Sequence, residues 1–197
     1  MAQTPKSSAG RINREIILGI DPGSLVTGWG LVEVESNRLH YRSHGIIGTD
    51  ASLGLAERLS QIYRGLHEII ERHHPTVVSL EKVFFSRNVQ SALKLGQARG
   101  VALLAAAEHQ IGVAEYSAAE IKVAVVGYGR ATKDQVQKMV CALLCVRGAM
   151  RADAADALAA AICHIHRRAF QPVVIQSLNG RVKKTSWRDC LELAVKR

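Results

Sequence analysis

No stretch of this sequence is apolar for long enough to cross a bilayer. The Ala-rich run from Val101 to Ala107 is closed off by Arg99 and Glu108, well short of the ~20 apolar residues a spanning helix requires. The segment from Met1 to Arg14 is polar and lacks the apolar centre of a secretory signal. It reads as a disordered leader, residues 1–14. Cysteine is scarce: Cys141, Cys145, Cys163 and Cys190 include no CxxC pair, which suits a reducing compartment, the cytoplasm. Cys141 and Cys145 share one helix face and read as buried thiols rather than metal ligands. The histidines are no better arranged for zinc. His73 and His74 precede Pro75, and His164 and His166 flank Ile165, with no partners at zinc-finger spacing. They read as helix-terminal or surface residues. Internal repeats and low-complexity blocks are also absent.

Acid is in short supply against base. The chain carries 26 Lys and Arg against 17 Asp and Glu, a net charge of +9. The excess is uneven: from His164 onward there are eight basic residues against two acids. Long-range attraction and counterion release make such a chain suited to nucleic acid or another polyanion, although a solubility charge can look the same. With 197 residues, 48% of them hydrophobic, the chain can bury one sizeable core. One catalytic domain over residues 15–170, followed by a flexible basic tail over 171–197, fits that length.

Glu15 to Asp21 is an apolar run ending in Asp-Pro-Gly-Ser, a strand entering a tight turn. Gly28–Val34 and Leu39–Gly48 read as two further strands, and such close linkage favours an antiparallel meander over βαβ units. Leu53–His73 has helical periodicity. Pro75 restarts an extended segment, Thr76–Leu80, that delivers Glu81. A helix is expected over Asn88–Gln110, with Gly96 and Gly100 on one face, so that either the domain's own sheet or a second subunit can approach it. Val113–Tyr116 reads as a short strand. Ser117-x-x-Glu120 and Thr132-x-x-Gln135 have capping-box spacing, and a last helix is expected from Asp153 to Arg168. Five extended segments interspersed with helices make an α/β domain.

Four carboxylates stand out. Asp21 and Glu81 both end apolar segments; if those strands are parallel neighbours, the acids emerge at one edge of the sheet, where α/β domains commonly place their sites. Asp153 and Asp156, three apart, project from the same face at the start of a helix. Gathered together, the four would repel one another unless cations joined them. All-oxygen donors favour magnesium or manganese over zinc, and two ions about 4 Å apart can bridge a scissile phosphate. Each acid alone also has an ordinary reading. Asp21 can cap a turn, Glu81 can pair with Lys82, and Asp153 can be an N-cap.

Ile17-Leu-Gly-Ile-Asp-Pro-Gly-Ser24 and Thr27-Gly-Trp-Gly30 resemble the opening of the RuvC family of Holliday-junction resolvases. The likeness continues through Glu81-Lys-Val-Phe84 and Ser91–Gly100, then Val125-Val-Gly127, Lys133–Gln137 and Ala152–Leu158. It implies a ribonuclease-H-like fold with a five-stranded mixed sheet flanked by helices. It further implies a homodimer that cuts four-way junction DNA with Mg²⁺, two ions per site, Mn²⁺ serving as a substitute. The family's catalytic, metal-binding tetrad falls on Asp21, Glu81, Asp153 and Asp156. Lys122 and Lys133 match lysines beside the reacting phosphate, and Phe84 matches an aromatic residue that stacks or opens bases at the junction centre. Arg87, Lys94, Arg130 and Lys138 are further candidates for DNA contact. The resemblance also implies paired symmetric nicks leaving 5′-phosphate and 3′-hydroxyl ends, cooperation with RuvA and RuvB, and work at the nucleoid.

Competing readings remain in view. Gly19–Ser24 can resemble the first phosphate loop of an actin-like or sugar-kinase ATPase, but those folds need a second comparable domain. A general ribonuclease-H-like nuclease and a noncatalytic junction-binding protein are the other two.

Overall fold

Strand and helix alternate here so that three consecutive strands build one half of a sheet and two crossover strands complete it. The structure, a computed structural model, describes residues 14–36, 38–82 and 89–168. The leader and the basic tail expected from the sequence lie outside the described residues, apart from Arg14 at the leader's end. In chain order the elements are β1 (Arg14–Asp21), β2 (Val26–Glu35), β3 (Arg38–Gly48), α1 (Leu55–His73), β4 (Val77–Glu81), α2 (Val89–Glu108), β5 (Gly112–Tyr116), α3 (Ala118–Val126), α4 (Lys133–Leu143) and α5 (Ala152–Arg167). The sheet order is β3-β2-β1-β4-β5. β1, β2 and β3 form the antiparallel meander that their short connections require, while β4 and β5 join parallel. The sheet is therefore mixed, as the resemblance implied.

Side chains alternate across β1, and the alternation builds two cores. Leu18 and Ile20 turn to one face and pack with Ile62, Leu66 and Ile70 of α1 and with Ala98, Ala102 and Ala105 of α2. Ile17 turns to the other face, against α5 and the helices beyond it. Asp21 stands four residues after Ile17, so it faces α5. This helix is buried from Ala154 to Ile165 because both the sheet and α3 and α4 cover it. Both capping boxes form: the hydroxyls of Ser117 and Thr132 accept from the backbone N–H of Glu120 and Gln135, and those side chains bond back.

Several local expectations are corrected. Asp153 does not cap α5; Arg151 occupies that position, with no side-chain cap bond. Only Asp153 lies in the helix's first turn, and Asp156 stands one turn further along. α4 ends at Leu143, so Cys145 is no longer on a helix face. It has φ 53° and is exposed. His164 does lie in the last turn of α5, as expected, but it is buried rather than on the surface, with its Nδ1 2.9 Å from the Tyr116 hydroxyl. Burial disfavours the charged imidazole and lowers its pKa. Gly96 and Gly100 do not meet the domain's own sheet. A methyl group at either would touch nothing within 4 Å, and the sheet instead receives Ala98, Ala102 and Ala105.

Candidate active site

β1 and β4 are parallel neighbours, paired from Ile17–Val77 to Ile20–Leu80. Asp21 and Glu81 each follow the last of those pairs, so they leave the sheet side by side at one edge. Each is fixed by its own surroundings. The turn after Asp21 is pinned by Thr27, whose buried hydroxyl donates to the Gly23 carbonyl at 2.8 Å. Beyond Glu81 the ladder continues through Lys82, whose N–H donates to the Tyr116 carbonyl at 2.7 Å.

α5 brings the other two acids, and small residues set how closely it lies. Gly19 and Gly30 face each other across β1 and β2, and Gly28 faces Asp21. A methyl group at Gly19 would stand 1.8 Å from the Ala157 carbonyl oxygen, and one at Gly28 would stand 2.0 Å from that of Asp153. At Gly30 it would strike Leu158 Cγ at 2.5 Å. Ser79, level with Gly19 on β4, donates its hydroxyl to the Ala160 carbonyl at 2.7 Å. The backbone of α5 thus rests on a glycine floor. These positioning residues escaped the sequence reading, although glycine at alternate strand positions is itself a signal of close backbone approach.

Asp21, Glu81, Asp153 and Asp156 are all half-buried. The Asp21 carboxyl is pushed up to about 7, first by burial, then by the charges of Asp156, Glu81 and Asp153, with Lys133 opposing. Glu81 is raised by burial and by Asp156, against Lys133 and Lys122. Asp156, Glu81 and Asp153 thus all lie within electrostatic reach of Asp21 at one edge of the sheet. Lys133, at the start of α4, reaches Asp156 with Nζ–Oδ2 3.2 Å, and its own pKa is raised, chiefly by that charge. Arg151 lies 3.7 Å from Asp153. Lys122, half-buried on α3, is near enough to Glu81 to act on it. The alternative pairing of Glu81 with Lys82 does not occur among the described contacts, and Asp21 is more than a turn cap.

The remaining DNA candidates are scattered. Lys94 on α2, Arg130 before α4 and Lys138 on α4 are all exposed. Lys138 lines an open pocket with Gln137, Cys141 and Met150, to which none of the four acids contributes. Phe84 and Arg87 lie outside the described residues.

A mixed five-stranded sheet covered by helices on both faces, with carboxylates converging at the ends of β1 and β4, is a ribonuclease-H-like domain. Its relatives make the assignment narrower. The family model described as crossover junction endodeoxyribonuclease RuvC matches residues 17–164, and the chain belongs to that family. The crossover junction endodeoxyribonuclease RuvC of Legionella pneumophila (strain Lens) is 53% identical over 153 residues, covering 78% of this chain and 88% of its own. That of Pelobacter propionicus is 48% identical over 173 residues, 88% of this chain and 97% of its own. Thermus thermophilus RuvC, solved in complex with a Holliday junction substrate, superposes with a TM-score of 0.74 at 33% identity, covering 78% of this chain and 94% of its own. The yeast mitochondrial resolvase Ydc2 shares the fold, with a TM-score of 0.57 at 12% identity.

Proposed function

We propose that this chain is a structure-selective DNA endonuclease that resolves four-way Holliday junctions by paired, symmetric nicks. The convergence of Asp21, Glu81, Asp153 and Asp156 carries the reading. It is supported by the names of the relatives and by the junction bound to the Thermus protein. Residues 15–170 constitute the nuclease domain in this proposal.

The four acids fit divalent cations. Their donor atoms are all oxygen, and an Asp21 carboxyl raised to about 7, first by burial and then by its acidic neighbours, is one that a bound cation would relieve. Lys133 pairs with Asp156 and Arg151 with Asp153, while no ion pair to Asp21 or Glu81 occurs among the described residues. Asp21, Glu81, Asp153 and Asp156 would hold Mg²⁺, two ions per site, with Mn²⁺ as a substitute. Bound there, such ions supply Lewis-acid activation of water and charge stabilisation at the leaving oxygen.

The protein's own groups do the positioning. The glycine floor sets the distance between the α5 acids and Asp21. Lys133 pairs with Asp156 and would meet the phosphate from there. Lys122 offers a second cation near Glu81, where charge develops on the phosphate oxygens. Cleavage would leave 5′-phosphate and 3′-hydroxyl ends. Phe84 would stack at the junction centre, while Arg87, Lys94, Arg130 and Lys138 would touch the backbone. The basic excess of the chain supports such contacts.

Two nicks need two sites, and a second copy of the chain supplies the other. The exposed face of α2 supports this role: Leu93 and Leu104 are 62% and 52% exposed, with Gly96 and Gly100 open between them. Leu104→Asp is expected to convert a dimer to a monomer in sedimentation. A monomeric wild type at micromolar concentration would refute the dimer. RuvA and RuvB are the partners proposed from the family, acting with it at the nucleoid in the cytoplasm.

The deciding experiment compares a mobile four-way junction, a matched linear duplex and an RNA–DNA hybrid, each with Mg²⁺ or EDTA. Paired nicks confined to the junction, absent in EDTA and absent in Asp153→Asn, are expected. Preferential hybrid cleavage would indicate a general ribonuclease, and binding without nicks would indicate a structural protein.

A further inference from the structure

The sheet edge opposite the four acids carries a second cluster, built from different chemistry. β4 starts just after α1, and β5 starts just after α2. Because β4 and β5 run parallel, the C-terminal ends of both helices lie where these strands begin, whereas Glu81 stands where β4 finishes. There His67 and Glu71, one turn apart on α1 and so on one face, meet His109, the residue after α2.

The three side chains are already in mutual contact. His109 Nε2 lies 2.9 Å from His67 Nδ1, and His109 Nδ1 lies 3.3 Å from Glu71 Oε1. The two rings have centroids 4.9 Å apart. One donor atom from each residue falls within 4.8 Å of the other two. The Tyr63 ring stacks on His67 at a centroid distance of 6.0 Å, and its hydroxyl bonds to Glu108, the neighbour of His109. That contact ties the two helices together beside the cluster and limits how far the imidazoles can separate.

Two imidazole nitrogens and one carboxylate oxygen differ from the all-oxygen set at the other edge. Zinc takes such ligands at about 2.0–2.2 Å, which puts neighbouring donor atoms of a tetrahedron roughly 3.3 Å apart. His109 now faces His67 through Nε2 and Glu71 through Nδ1, so holding one ion requires its ring to turn a single nitrogen toward both partners. Glu71 is largely exposed, its side chain at 59%, which leaves room for water as a fourth ligand.

We propose that His67, Glu71 and His109 form a site for a divalent transition metal of the zinc class, completed by water, that clamps the end of α1 to the end of α2. The clamp would act on the helix whose exposed face carries Leu93, Gly96, Gly100 and Leu104. It is independent of the acids at the other edge and of any reading of the reaction. The proposed role is structural: the bound ion lowers the freedom of the two helix ends and raises the stability of the fold.

The test uses the full-length protein in excess Mg²⁺, with a thiol-free reductant, and Zn²⁺ delivered in competition with a chromophoric chelator. One zinc per chain is expected for wild type and for Asp153→Asn. His67→Gln and His109→Gln should each weaken binding on the order of tenfold or more, and Glu71→Gln should weaken it less. Zinc should raise the melting temperature of wild type and Asp153→Asn in a concentration-dependent way, but not that of either histidine variant. Without zinc, all these variants should melt cooperatively, which shows that they are folded. An absence of zinc binding, or binding unchanged in both histidine variants, would overturn the proposal. Loss of zinc in Asp153→Asn alone would overturn it too, assigning the ion to the acids.

Discussion

Asp21→Asn is expected to cut cleavage on the order of 10³-fold and, in the absence of metal, to make the protein more stable above pH 7. The two effects come from one cause. Burial and three neighbouring acids raise the Asp21 carboxyl from 3.8 to about 7, so between those values the folded protein holds a proton that the unfolded chain has released. Stability must then fall as pH rises across that window. The cost is complete once the pH exceeds the folded value, because both states are then ionised. A shift of that size corresponds to about 4 kcal/mol at most, and partial solvent access reduces it to about 2–3 kcal/mol. Asparagine keeps the shape and removes the charge. In EDTA at pH 8 its melting temperature should exceed that of wild type by several degrees, and at pH 4 the gap should close. Mg²⁺ should stabilise wild type more than the variant. Cleavage should fall on the order of 10³-fold, consistent with losing several kcal/mol of metal-ion catalysis. A variant no more stable than wild type at pH 8 would mean that burial and the neighbouring acids do not raise Asp21.

Gly28→Ala is expected to cost as much by pure geometry. Its added methyl would meet the Asp153 carbonyl oxygen at 2.0 Å and the carbonyl carbon at 2.3 Å. Both are backbone atoms of a helix buried along most of its length, so no flexible side chain can yield. α5 must lift from the sheet, and Asp153 and Asp156 lift with it. Overpacking of this kind costs about 3 kcal/mol, readable as a drop in denaturation midpoint with an unchanged slope. Cleavage should fall on the order of 10²-fold even where the variant remains folded, since a displacement near 1 Å at a reacting centre has that effect. Gly48→Ala is the control: a methyl there would touch nothing within 4 Å, and both stability and activity should stay near wild type. A fully active Gly28→Ala would show that the distance from α5 to β2 does not govern the site.

The elements were largely legible, for local reasons. Asp-Pro-Gly ends a strand, capping boxes start α3 and α4, and the apolar period of α1 survives intact because one face alone is buried. Expectations failed where burial came from distant chain. His164, rightly placed near a helix end, also looked able to face solvent, yet it is buried against Tyr116 of β5. Cys145 looked buried because its spacing from Cys141 assumed a helix that stops at Leu143. The His67–Glu71 spacing was visible, but nothing in the sequence announced that His109 would join it.

What the sequence by itself determined was the order of the elements and, through its likeness to the RuvC family, which four acids to look for; the parallel pairing that sets Asp21 beside Glu81 came from the structure. Element order follows from short-range patterning, and the acids from motifs that keep their meaning in any context. Only the tertiary structure decided how deeply α5 settles on Gly19, Gly28 and Gly30, and hence how strongly Asp21 is raised. It alone placed nitrogen ligands at the opposite edge and left one face of α2 open. Each of these depends on through-space distance between elements far apart in the chain, and both desolvation and metal-ligand geometry depend steeply on such distances.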